Sequence, residues 1–255
     1  MATSTDVKGQ LTDNLKDLRL PTFRDNFESA ARSAESATLS YEQYLLELTL
    51  QECEDRRCRK VERLLAESKL PLDKTLESFD HKRLPAKIAR CARTLLDGTF
   101  IDRKENVLAF GSSGAGKTHL LCAVAQELIR SQQRRVYFTT CSLLVQDLLA
   151  AKRDLKLSRY LKRMSKYDIV FIDDIGYVQQ DRNEMEVLFT FLAERYERGS
   201  VMLTSNLPFS KWESIFKDPM TTAAAIDRVV HHSVILELNL KSYRLKQATE
   251  RTSTG

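Results

Sequence analysis

The chain has 255 residues, 42% of them hydrophobic, with a formal net charge of +5, which is enough apolar material for a real core and too mild a basic excess to establish an acidic partner alone. No apolar run reaches the length of a membrane span, and the polar start does not read as a signal peptide, so a soluble intracellular chain is expected. The five cysteines, at 53, 58, 91, 122 and 141, make no C-x-x-C pair, which argues against zinc or a disulfide framework and for a reducing compartment.

Residues 1–10 are polar and are expected to be loose. Leu11, Leu15 and Leu18 then mark a short amphipathic helix that ends before Pro21. Phe23, Phe27, Ala30 and Ala31 mark a second. Ser40 with Gln43 reads as a capping box opening a long third helix. Its apolar stripe is Tyr41, Tyr44, Leu45 and Leu48, resumed by Val61, Leu64 and Leu65 and closed by Pro71. No strand pattern precedes residue 75. Residues 1–74 are therefore predicted to form an all-helical N-terminal domain, and residues 75–255 a separate α/β domain.

The third helix carries Arg56, Arg57, Arg59 and Lys60, with Arg63 one turn on. Such a run suits phosphate-backbone contacts. It equally suits a solvated face, since Glu52–Arg56 and Asp55–Arg59 stand at i, i+4. A connector over 75–105 follows, with a helix around Ile88–Leu96 and further positive charge at Lys82, Arg83, Lys87, Arg90 and Arg93.

Val107–Phe110 is a short apolar run of the kind that makes a buried strand. Gly111, Ser112, Ser113, Gly114, Ala115, Gly116, Lys117 and Thr118 then fit G-x-x-x-x-G-K-[ST], and an amphipathic helix runs on to about Arg130. Strand, glycine loop and helix together form a phosphate cradle. The glycines let successive amides face one anion, and the helix N-terminus adds partial positive charge. Lys117 can reach the β- and γ-phosphates, and the Thr118 hydroxyl can ligate Mg²⁺. The plainer alternative is a glycine turn that caps a helix.

Arg135–Thr140 reads as a second strand and Leu143–Ala151 as a helix. Residues 152–166 then hold seven bases (Lys152, Arg153, Lys156, Arg159, Lys162, Arg163 and Lys166) against one acid, and 152, 156, 159 and 163 are predicted to share one helical face. This is the second candidate nucleic-acid surface, against the alternative of a merely solvated helix. Ile169–Ile172 reads as a buried strand with Asp173 and Asp174 at its carboxyl end, where open α/β sheets place their chemistry. Asp173 is the candidate Mg²⁺ carboxylate, and Asp174 the group that orients or activates water. A helix over 184–198, stopped by Gly199, leads to a strand over 201–205. Asn206 at its tip is a candidate γ-phosphate contact or, alternatively, an Asx turn before Pro208. Short helices around Trp212–Phe216 and Thr221–Val230, a last strand over 233–238, and turn histidines His231 and His232 complete the reading. His119 is read as packing.

In this order the motifs resemble the AAA+ branch of P-loop ATPases. More narrowly, the chain is similar to the IstB-like ATP-binding proteins, helper ATPases encoded beside transposases in bacterial insertion sequences, with the DnaC helicase loaders as near relatives. The resemblance covers about residues 10–246. It rests on Gly111–Thr118, Ile169–Asp174, Thr204–Pro208, Asp227–His232 and Ser242–Leu245, with Leu15–Pro21 and Leu39–Leu45 in support.

The resemblance implies a parallel AAA+ sheet flanked by helices. It implies ATP and Mg²⁺ as cofactors, duplex DNA and a transposase as partners, homo-oligomers with ATP, and a bacterial cytoplasmic setting without membrane. It makes Asn206 the γ-phosphate sensor and Arg228 an arginine finger offered to a neighbouring subunit. AAA+ proteins usually carry Glu where this chain has Asp174, so slow hydrolysis is expected. Few residues follow Leu238, so little or no helical C-terminal lid is expected, and a sensor role for Arg244 has little to stand on. A helicase loader is the alternative function within the fold, and a small-molecule kinase or a non-hydrolysing scaffold the alternatives outside it.

Overall fold

A computed structural model describes residues 4–80, 83–175, 182–207, 229–238 and 240. The chain divides into two compact units, Met1–Arg63 and Leu64–Gly255. The first is built from helices α1 (Ser4–Asp17), α2 (Pro21–Ser36) and α3 (Tyr41–Ser68), the last running across the unit boundary. Helix α1 begins inside the stretch expected to be loose, and Lys8 in that stretch pairs with Glu28 of α2 at 3.1 Å. The capping box is present: Ser40 N–H donates to Gln43 Oε1 at 2.9 Å, and Gln43 N–H to Ser40 Oγ at 3.3 Å. Leu15, Ala34 and Leu48 are buried, but Leu18, Tyr41 and Leu45 are exposed, so the predicted stripes are only partly inward.

Helix α2 opens on Pro21 and has no side-chain cap of its own. Glu52 of α3, 3% exposed, supplies the acceptor: its Oε2 receives Thr22 N–H at 2.9 Å and Phe23 N–H at 3.3 Å. Two otherwise orphaned amides are thereby satisfied, and the carboxylate complements the helix dipole. Burial acts to raise the Glu52 pKa. The hydrogen bond from Arg56 and the two amides outweigh it and hold the carboxyl below its usual value.

The second unit opens with helices α4 (Ala86–Leu96) and α5 (Thr99–Asp102). Strands β1 (Asn106–Phe110), β2 (Val136–Thr140), β3 (Ile169–Ile175), β4 (Ser200–Ser205) and β5 (Ser233–Glu237) form one sheet, ordered β2-β3-β4-β1-β5, with every pairing parallel. This is the predicted α/β class. The middles of the inner strands are apolar, and Val107, Leu108, Val170 and Phe171 are each 0% exposed. Each such large side chain contributes roughly 1.5–3 kcal/mol by leaving water.

Helix α6 (Lys117–Gln132) leaves β1, and the chain crosses to the edge strand β2 before returning through β3 and β4. The register aligns Phe110 with Ser205 and Ser205 with Ile175, so the tips of β1, β4 and β3 end at one level. Asn106 anchors the other end of β1: its Oδ1 accepts Val201 N–H at 2.9 Å and its Nδ2 donates to Val229 O at 3.0 Å.

Helices α7 (Cys141–Arg153), α8 (Leu157–Met164) and α9 (Arg182–Arg195) complete the described unit. Helix α9 stops at Arg195, short of the glycine expected to end it. Arg195, 4% exposed, donates to the carbonyls of Met164, Tyr167, Asp168 and Ser200, and burial pulls its pKa down to about 10. Gly199 N–H closes the last turn on Arg195 O at 3.0 Å, and a Cβ there would collide with the Arg195 guanidinium. The helix expected around Trp212–Phe216, most of that over 221–230, and residues 241–255 lie outside the described residues. No described helix is long and apolar enough to cross a membrane.

Candidate functional site

The glycine loop leaves β1 with Gly111, Gly114 and Gly116 at φ of +148°, +78° and +92°. These are conformations that side-chain-bearing residues avoid. At Gly111 a Cβ would also collide with the backbone oxygen of Leu238, just past β5. Helix α6 begins at Lys117, so the positive end of its dipole faces the loop. Lys117 is 8% exposed, and its Nζ donates to Gly111 O at 2.8 Å and Ser112 O at 3.0 Å. The ammonium is held against the rim of its own loop, where an arriving polyphosphate would exchange those carbonyls for stronger, charged acceptors.

Next along α6, the Thr118 hydroxyl donates to Asp173 Oδ1 at 2.8 Å. Sheet order brings them together, since β3 lies one strand away from β1, across β4. Asp173 is half-buried and Asp174 exposed. Asp174 has a left-handed φ of +66°. The hard oxygens of Thr118 and Asp173 suit Mg²⁺, which is commonly held by one or two carboxylates together with substrate phosphates. Among the described residues no group of three or more His, Cys, Asp or Glu could hold a metal ion.

Asn206 follows β4. Its Oδ1 is buried and finds no hydrogen-bond partner among the described residues. The turn there is made by Ser205, whose Oγ accepts Leu207 N–H at 3.1 Å, so Asn206 does not form the alternative Asx turn. A buried acceptor without a donor is costly, and a water or hydroxyl entering the site would satisfy it.

Sequence reasoning missed the role of His119. Its Nε2 lies 3.0 Å from Thr75 O and 3.1 Å from Ser78 Oγ, and Phe79 meets its ring edge-on at 5.2 Å. Thr75 O can only accept, so Nε2 carries the proton. The connector is thereby folded over the loop, and a cavity of about 200 Å³ lies between Phe79, Asp80, Arg83 and Gly114–His119. The signal available was the Thr75-x-x-Ser78 spacing, whose hydroxyls and amides bond one another locally. Cys122, on the same helix, is buried, which pushes its thiol up to about 12 and leaves it inert.

The two basic runs differ from expectation. In the first, Arg56 and Arg59 point at Glu52 at 2.7 and 3.6 Å, and Arg57 stands 4.0 Å from Glu54. The expected Asp55–Arg59 pair is replaced: Arg59 Nε bonds the Asp55 backbone oxygen, while the Asp55 carboxylate accepts from Thr22 Oγ1 at 2.8 Å. Lys60 is exposed.

In the second run no single helical face exists. Helix α7 ends at Arg153, Leu155 turns left-handed at φ +57°, and α8 starts afresh at Leu157. Lys152 is drawn to Glu186 at 2.9 Å, and Arg153 and Lys156 lie near Asp154. The break gathers Lys156, Arg159, Lys162, Arg163 and Lys166 around a cavity of about 570 Å³ beside Tyr160. Arg163 lies over the Tyr160 ring at 4.8 Å, and the ring's hydroxyl donates to Asp147 at 3.3 Å. Among the described residues no carboxylate pairs with Arg159, Lys162 or Lys166. Arg228 and Arg244 lie outside the described residues.

Comparison with known proteins agrees with this architecture. The DnaC helicase loader superposes with a TM-score of 0.56 at 17% identity, covering 66% of this chain and 98% of that one. Domain III of the Thermotoga maritima replication initiation protein DnaA gives 0.55 at 18% identity, covering 71% and 73%. These likenesses establish the AAA+ fold. In sequence, an insertion-sequence ATP-binding protein of Sinorhizobium fredii is 39% identical over 237 residues, covering 92% of this chain and 79% of the relative. The IS5376 ATP-binding protein of Geobacillus stearothermophilus is 36% identical over 241 residues, covering 94% and 96%. The IS21 protein of Pseudomonas aeruginosa is 35% identical over 233 residues, covering 91% and 88%. The model of the IstB-like ATP binding proteins matches residues 13–251, and the chain belongs to that family.

Proposed function

We propose that the protein is an ATPase that assembles on duplex DNA in its ATP-bound form and assists the transposase of its own insertion sequence in selecting a target. The single observation that carries the nucleotide half is the convergence of the glycine loop, Lys117, Thr118 and Asp173, with Thr118 and Asp173 2.8 Å apart. The surface around α8 supports the DNA half, because Arg159, Lys162 and Lys166 stand there without a paired carboxylate among the described residues, although Lys156 beside them lies near Asp154. The helicase-loader alternative has only a fold-level likeness behind it, whereas the likeness to insertion-sequence proteins runs nearly the length of the chain.

In this reading the loop amides and Lys117 bind the phosphates, and Thr118 and Asp173 would hold Mg²⁺. Bound there, the ion neutralises charge on the β- and γ-phosphates. Asp174 orients a water toward the γ-phosphorus and takes its proton. Asn206 holds that water or a γ-phosphate oxygen. Water oxygen bonds to phosphorus as the bridging bond to the β-phosphate breaks, leaving ADP and phosphate. Arg228 of a neighbouring copy stabilises the charge that develops, which makes hydrolysis conditional on assembly. Lys156, Arg159, Lys162, Arg163 and Lys166 contact DNA phosphates, so binding is largely independent of sequence and weakens steeply with salt. Binding of labelled duplex, measured with and without ATP over a salt series, tests the proposal. Indifference to DNA at modest salt with ATP present would refute it.

A further inference from the structure

Between Ile172, paired with Leu203, and Ile175, paired with Ser205, the register of β3 on β4 slips. Two residues of β3, Asp173 and Asp174, there face the single Thr204, which is the pattern of a β-bulge. A bulge deprives a backbone amide of its ladder partner. Here the Thr204 hydroxyl replaces that partner, accepting Asp174 N–H at 2.8 Å. The same hydroxyl donates its one proton to Asp173 Oδ1 at 2.6 Å. Oδ1 thus receives Thr204 as well as Thr118. Thr204 itself is 1% exposed, so no water competes for these bonds.

We propose that Thr204 is a positioning residue of the nucleotide site: one hydroxyl sets the rotation of the Asp173 carboxylate and holds Asp174 in its left-handed turn. Buried at 1% exposure, it acts only through the two aspartates it bonds. Two hydroxyls on one carboxylate oxygen fix the plane of the group before any ligand arrives. The amide bond fixes the strand tip from which the Asp174 side chain leaves. A valine would fill the same space without either bond, and a serine would keep both. The inference rests on the ATPase reading for its kinetic consequence, but not for its effect on Mg²⁺.

The test compares Thr204→Val and Thr204→Ser in the full chain. Calorimetry with a non-hydrolysable ATP analogue gives the Mg²⁺ concentration that half-tightens nucleotide binding, and steady-state assays give kcat and KM. For Thr204→Val the Mg²⁺ requirement should rise, and kcat fall, by about tenfold or more, with KM nearly unchanged. Thr204→Ser should stay close to wild type. A valine variant equal to wild type, or a serine variant as impaired as valine, would overturn the proposal. Should the valine variant fail to fold, amide exchange on the wild type decides: the Asp174 N–H should exchange slowly, and fast exchange would refute its bond to Thr204. If wild type shows no turnover, the ATPase reading fails, while the Mg²⁺ requirement and the amide exchange still judge Thr204.

Discussion

Thr118 and Asp173 are 55 positions apart in the chain, and their side chains meet at 2.8 Å. One lies on the helix that leaves the phosphate loop, the other at the end of a strand whose neighbour separates it from that loop. The bond joins a hydroxyl and a carboxylate where a nucleotide's cation would sit. Its functional consequences can be tested one residue at a time.

Replacing Lys117 with alanine removes the charged donor that now rests on Gly111 and Ser112. Loss of charge-assisted bonds to phosphate should weaken ATP binding by about 2–3 kcal/mol, a factor of roughly thirty to a hundred or more in Kd. Calorimetric titration checks this, and ATP-dependent assembly should disappear with it. Unchanged affinity would remove the phosphate-cradle reading.

Arg228→Ala should leave ATP affinity intact and lower turnover by about three orders of magnitude. Because the finger acts between copies, mixing Arg228→Ala with Asp174→Asn should restore part of the activity at the mixed junctions. Normal turnover in Arg228→Ala alone would end the assignment.

The two basic surfaces should separate in their response to salt. Changing Arg159, Lys162 and Lys166 to alanine should weaken duplex binding and reduce the magnitude of its log–log salt slope by about one per lost phosphate contact. Changing Arg56 and Arg59 should act first on stability, because both guanidinium groups are held at Glu52. An unaltered slope in the α8 variant would move the DNA surface elsewhere.

Glu52 gives the N-terminal unit a pH dependence of definite sign. Its folded pKa is depressed, so its stabilisation is present above the ordinary carboxylate value and fades as pH falls through the lower folded value. Glu52→Gln keeps the shape but loses the charge at the α2 amides and the two arginines. It should cost about 1–3 kcal/mol at neutral pH. Thermal melts at neutral and acid pH should show the gap between wild type and variant narrowing in acid.

Much of the geometry of the candidate site was legible because its signals are local. Val107–Phe110, the glycine loop and the aspartates after Ile172 each declare themselves within a few residues, and the sheet had only to bring them together. The α8 surface was legible in composition but not in shape. Leu155 turns left-handed without a glycine or proline to announce it, and so the predicted face of 152, 156, 159 and 163 does not form. Glu52, His119 and Thr204 act on backbone 30 or more positions away, so no short window of sequence contains both partners. The end of α9 falls earlier than Gly199 suggests: the helix stops at Arg195, whose guanidinium is taken by the distant carbonyls of Met164, Tyr167 and Asp168.

If ATP licenses this chain to assemble on double-stranded DNA, the assembly itself should depend on nucleotide. The most direct measurement is the mass distribution of protein mixed with duplex DNA, taken with a slowly hydrolysed ATP analogue, with ADP and without nucleotide. Multi-subunit complexes should form on DNA with the analogue and be lost with ADP, without nucleotide, or in Lys117→Ala. Identical distributions under all of these conditions would contradict that dependence.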